Sequence, residues 1–228
     1  LTLTANRQYT VLATGTVATI APVVLERATE PVPAGSVRVQ VVHAAPAAPR
    51  VAVFVTAPGA ALASSAPLGT FAFRENLGPA NVPAGAYQIR VTPAGASAPV
   101  LFDSGTVNLA AGADLLLSAI ENTEPGASPI ALAVTDATGA NSVIRDRATP
   151  AAVRVVHASP DTPPVSVIVN DAFATPLVPR LAFPAFTPYV SVPPATYNVK
   201  VTPAGNPGVI AIDANLALNA GTEYTVYA

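Results

Sequence analysis

The sequence predicts an all-β chain. Apolar and polar residues alternate with a period of two along many short segments, the pattern of strands with one face on a core. Proline, glycine and threonine punctuate those segments at regular spacing, and 25 prolines so placed would break most helices. The segments also recur along the chain, which argues for two copies of one unit over a single large domain. Short strands, regular turns and duplication point to two tandem immunoglobulin-like antiparallel β-sandwich domains preceded by an N-terminal strand segment.

The clearest element is residues 153–169: a strand, a proline-rich turn and a second strand. Val153, Val155 and His157 form one row against Arg154 and Val156. After the turn Val165, Val167 and Val169 form one row against Ser166 and Ile168. A copy lies at 39–55, where His43 falls on His157 and Pro46 on Pro160. These are the chain's only two histidines. Each sits in an inward row at a strand end, so each ring is expected to bond backbone groups and pin its proline turn. Ser159 and Asp161 are expected to bond turn backbone through their side chains.

Residues 1–13 read as a hairpin that recurs at 107–117 and at 216–228, with Tyr9, Thr10 and Val11 falling on Tyr224, Thr225 and Val226. After each of the first two copies comes one more strand, Ile20 to Arg27 and Pro129 to Asp136, its proline suggesting an edge or a strand start. Proline-, glycine- and threonine-rich connectors follow at 28–36 and 137–151. The expected domains are therefore 1–34 (a strand segment), 35–148 and 149–228. Within the repeats, Tyr87, Ile89 and Val91 oppose Gln88, Arg90 and Thr92. Tyr197, Val199 and Val201 likewise oppose Asn198, Lys200 and Thr202, the polar row being assigned to solvent.

Only 11% of the 228 residues are charged, against about 25% in ordinary soluble domains. Apolar residues make up 51% and mean hydropathy is +0.47. A surface so poor in charge is badly suited to staying monomeric. Net charge of −2 offers no basic field for nucleic acid and no polybasic membrane anchor. The charge-free stretch 8–25 contains Gly15 and Pro22 and does not read as a membrane span. With no cysteine, disulfides and thiolate metal sites are out of reach. A start at Leu1 with no methionine fits removal of a signal peptide.

Chemistry is hard to place on this chain. His157, Ser159 and Asp161 are too close in sequence for a triad whose members must be oriented independently, and the first copy carries Ala45 and Ala47 in place of the last two. No Asp/Glu/His cluster accompanies either histidine at ligand spacing. Residues 136–141 hold two oxygen-bearing side chains, Asp136 and Asn141, without the ligand ladder of a calcium loop. Tyr9, Tyr87, Tyr197 and Tyr224 fit tyrosine corners or core positions better than a sugar-stacking row. No enzyme, cofactor or metal is expected.

The run Val153-Arg154-Val155-Val156-His157-Ala158-Ser159-Pro160-Asp161, followed by Pro163-Pro164-Val165, is similar to the signature of a secreted bacterial family, domain of unknown function 4397. The resemblance continues through 189–205 and ends in 220–226. It implies tandem β domains and an extracellular or cell-surface location, and says almost nothing about activity. The expected function is a non-catalytic structural protein of a bacterial surface that associates with itself head to tail. Ile20, Val23, Val24 and Leu25 would form the assembly strand, because the second repeat stops at Ala228 without the strand that follows the other hairpins. The competing expectation is a surface adhesion module whose loops bind glycans.

Overall fold

The computed structural model describes residues 2–228 and is all-β, with one short 3-10 turn at Leu62–Ser64. Its strands fall into two compact units. The first runs to Arg147, and the second comprises Ala148–Ala228 together with Glu124–Gly126.

The chain opens with β1 (Arg7–Thr14) and β2 (Ala21–Ala28), an antiparallel hairpin. The first unit continues with β3 (Ser36–His43), β4 (Val51–Thr56), β5 (Gly69–Phe71), β6 (Asn76–Pro83), β7 (Gly85–Pro93), β8 (Phe102–Leu109), β9 (Asp114–Glu121), β10 (Ile130–Asp136) and β11 (Asn141–Ile144). These form a five-stranded sheet, β11-β10-β9-β3-β6, and a four-stranded sheet, β5-β4-β7-β8. All pairings are antiparallel except that of β3 with β9. The two sheets share one core. Val41, Leu117, Ala119 and Leu132 come from the larger sheet, and Val51, Val53, Phe71, Ile89, Val91 and Phe102 from the smaller.

The second unit repeats the plan with β12 (Ala151–Val156), β13 (Val165–Val169), β14 (Val178–Leu181), β15 (Val190–Val192), β16 (Ala195–Pro203), β17 (Ile212–Leu218) and β18 (Glu223–Tyr227). Its sheets are β15-β12-β18 and β14-β13-β16-β17. As β3 lies parallel to β9 in the first unit, β12 lies parallel to β18 here. Val155 on one sheet meets Val165, Val167, Leu181 and Val201 on the other.

Three readings of the sequence change. The segments at 107–117 and 216–228 are not hairpins: β8 and β9 lie in different sheets, as do β17 and β18. Each turn carries the chain across the core, and alternation reads the same whether two strands pair or part company. At the N-terminus the hairpin is β1 with β2, not residues 1–13 alone, of which Leu1 lies outside the described residues. The connector after β10 contains a further strand, β11.

The polar rows also differ from expectation. Gln88 and Thr92 are buried, and so are Ser166 and Thr202. In the first unit the loop 57–68 folds over this face, burying Leu62 against Ala52 and Phe54. Gln88 is held by the Gly59 amide at 2.8 Å and by Asp103 at 2.7 Å. Arg90 donates to Thr56 Oγ1 at 2.8 Å and to the Ala60 carbonyl at 2.6 Å. A loop satisfied this way turns a solvent-facing row into a buried one.

Candidate functional site

The two histidine turns are built alike. His43 and His157 are almost wholly buried, at 2% and 1% exposure. His43 Nε2 lies 3.1 Å from the Pro49 carbonyl, and the Ala45 amide donates to Nδ1 at 3.4 Å. In the second copy Nε2 meets the Pro163 carbonyl at 3.2 Å and the Ser159 amide meets Nδ1 at 3.3 Å. A carbonyl can only accept and an amide N–H can only donate, so both rings suit the neutral tautomer with its proton on Nε2. Both nitrogens are thereby engaged. Each ring also packs edge-on against a phenylalanine, Phe73 or Phe183, at 6.3 Å and 79°.

The turns themselves are closed by backbone. Ala48 N–H bonds the Ala45 carbonyl and Thr162 N–H the Ser159 carbonyl, with Pro46 and Pro160 at the position whose φ proline sets in advance. Ser159 acts through its amide and Asp161 is exposed; among the described residues neither side chain bonds the turn. That corrects the expected role of both, and explains why alanine serves as well at 45 and 47.

The tyrosines are corner residues. Tyr87 and Tyr197 donate to the carbonyls of Pro83 and Pro193, both at 2.8 Å. The hydroxyls of Tyr9 and Tyr224 accept from the amides of Thr4 and Asn219 at 3.1 and 3.0 Å. Asp136 is likewise consumed locally, one carboxylate oxygen accepting from the Thr138 hydroxyl, the Thr138 amide and the Ala140 amide. The Thr138 hydroxyl is the main cause holding its pKa below the ordinary value. Among the described residues no three His, Asp or Glu side chains gather as a metal site. No helix among them is long and apolar enough to cross a membrane.

The expected assembly strand is β2, and in this chain it has partners. Ile20 precedes the strand and is exposed, and Val24 points outward at 42% exposure. Val23 and Leu25 are buried with Val42 of β3, flanked by Leu12 and Leu116. Strand β3 turns Val41 toward the core and Val42 toward the hairpin, so its outer row carries one apolar side chain, Val42, for the hairpin to cover. Around this contact Arg27 and Arg38 both pair with Asp114. Arg74 grips the hairpin's turn, donating to Thr14 Oγ1 at 3.0 Å, the Thr14 carbonyl at 3.1 Å and the Thr19 carbonyl at 2.6 Å.

Between the sheets of each unit lies an apolar cavity that sequence reasoning missed, of about 200 Å³ in the first unit and about 110 Å³ in the second. Periodicity assigns side chains to a core but does not say how closely the two sheets approach.

One family model, described as Domain of unknown function (DUF4397), matches residues 1–54 and 151–228, and each matched stretch contains a histidine turn. No curated protein matches the chain. Among solved structures, the Bacillus anthracis TIE protein aligns at 12% identity and a TM-score of 0.27. The alignment covers 97% of this chain and 58% of that one.

Proposed function

The chain belongs to the DUF4397 family, and we propose that it is a non-catalytic, extracellular structural protein of a bacterial surface that associates with itself by strand addition. We read each unit as a two-sheet β-sandwich whose strand order departs from the expected immunoglobulin-like one. The order common to both units is the fourth, first and seventh strands against the third, second, fifth and sixth, with β10 and β11 added beyond the seventh in the first unit. The immunoglobulin arrangement sets the first, second, fifth and fourth against the third, sixth and seventh.

The observation that carries the reading is the pairing of β18. Its counterpart β9 has a neighbour on each side, parallel β3 and antiparallel β10, whereas β18 has parallel β12 and no second partner within the described residues. An open edge invites another strand. The strand type that fits is β2, which pairs with β1 as β10 pairs with β9: Val11 opposes Val24, and Leu117 opposes Val134. Because β18 repeats the Tyr-Thr-Val of β1, β2 of one copy could exchange β1 for β18 of the next. Such a contact does not close on itself and makes a filament. The low charge density supports it, since subunit surfaces would be covered.

The test uses the edge itself. Ala228 exchanges both of its backbone bonds with β12-side residues, its amide to the Val156 carbonyl and its carbonyl from the Ala158 amide. By the strand's period of two, the Tyr227 amide points away from β12. Proline at such a position leaves the inner ladder intact. Tyr227→Pro and a chain lacking residues 1–28 are both expected to stay monomeric in sizing, while the full chain forms filaments visible by negative stain. Filaments that persist in both variants sink the reading.

A second reading, glycan-binding adhesion, is favoured by exposed aromatics on the second unit. Phe186 and Tyr227 are 66% and 67% exposed, and Arg154 stacks over Tyr189 at 4.8 Å. It expects a monomer retained on glycan surfaces, and Tyr189→Ala released from them.

A further inference from the structure

We infer that the first unit carries a binding site for one small neutral hydrocarbon, such as a benzene ring with a short alkyl substituent, between its two sheets. The cavity there measures about 200 Å³ and its walls are almost entirely Val, Leu, Ile and Phe. Only two polar side chains line it, His43 and Tyr87. Both are already spent: the histidine nitrogens hold Pro49 and Ala45, and the tyrosine hydroxyl holds Pro83. Water entering this space would find no side-chain partner, and a buried water needs two to four. A dry apolar cavity of about 150 Å³ is large enough to take benzene. This one therefore has room for a ring and a short chain.

Duplication makes an accident of packing a poor account. The second unit holds a cavity at the same place, with Val167, Tyr197 and Leu218 standing where the first has Val53, Tyr87 and Leu109. At about 110 Å³ it suits a smaller guest. There is also a way in. Strand β5 ends one sheet and β6 the other, so no ladder joins them, and the seam between them is apolar and open. Leu68 and Leu77 on that rim are 40% and 37% exposed, and Ala80 is exposed beside them. The site is independent of strand addition, which involves β2 and β18, neither of which lines it.

The probe is n-butylbenzene, titrated into the full chain with methyl-labelled valine and leucine. The expected result is saturable shifts at Val41, Val53 and Val55, with a rise in the first unit's melting temperature. Ala80→Phe, at an exposed rim position, is expected to bind about tenfold more weakly while folding normally. Val53→Phe, which fills the space from within, serves as the second variant. Benzene is expected to shift Val167 in the second unit, and butylbenzene is not. Methyl groups that stay unmoved up to aqueous saturation overturn the inference. So does binding by both variants equal to that of the unaltered chain, or an equal response of Val167 to both probes.

Discussion

The two units share a turn, a corner and a sheet plan, yet only the first wears a cover. The outer face of its opening strand is sealed, with Arg38, Gln40 and Val42 at 8%, 5% and 0% exposure. The equivalent residues of the second unit, Ala152, Arg154 and Val156, are half-exposed. The difference lies in a few positions. Where the first unit has Arg74 to grip the hairpin, the second has Pro184, which has no side-chain donor; where the first has Arg38 on Asp114, the second has Ala152. The histidine turn is thus the common frame, and the dressing of the outer face is local to each copy. Duplication preserves what the backbone needs and leaves the surface free to diverge.

Removing residues 1–28 breaks this contrast most severely. It uncovers Val42 and takes away the buried side chains of Val23 and Leu25. Three such side chains together contribute about 5 kcal/mol. Calorimetry is expected to show the first unit's transition falling while the second unit's is unmoved. A first transition that does not move would show the hairpin to be an ornament.

Next in size is a matched pair, His43→Ala and His157→Ala. Each removes a buried ring and leaves a proline carbonyl and a turn amide without their partner, at about 1–3 kcal/mol. Because the two rings have the same partners at nearly the same distances, the losses in their respective units are expected to be equal. A clear inequality in chemical denaturation would mean that one histidine does something the other does not.

Tyr87→Phe and Tyr197→Phe sharpen the comparison further, since each deletes one hydroxyl bond to a proline carbonyl and nothing else. The expected loss is about 1 kcal/mol in each unit, measured by the same denaturation.

The smallest effect is confined to the first unit. Asp136 has its pKa lowered in the fold, chiefly by the Thr138 hydroxyl. Its contribution is therefore full above the ordinary carboxylate value and is lost as pH falls through the lowered one. Hydrogen exchange at the Thr138 and Ala140 amides is expected to quicken over that acid range, and Asp136→Asn to quicken it at neutral pH. Unchanged exchange in both experiments would show that the carboxylate does not hold the turn.

Much of this was legible in the residues. The inward histidines follow from strict alternation in both copies, and the corner or core placement of the tyrosines from their alternating strand positions. The paired sheets follow from strand after strand of period two between proline turns. These are local patterns, set by the backbone's two-residue repeat and by the restricted φ of proline. Other features depend on what lies across the molecule. Gln88 and Thr92 look like solvent residues until the loop 57–68 covers them. The turns at 110–113 and 219–222 look like hairpins until the strands they join fall into different sheets. Val42 and Val23 become partners only once a hairpin folds onto the outer face of β3, and the cavity exists only because two sheets meet at one particular separation. By itself the sequence determined the strands, the turns and the duplication, because each is written within about ten consecutive residues. Tertiary structure alone decided which face is covered, where the chain crosses the core and how much space the core leaves, because those depend on groups far apart in sequence meeting at one place.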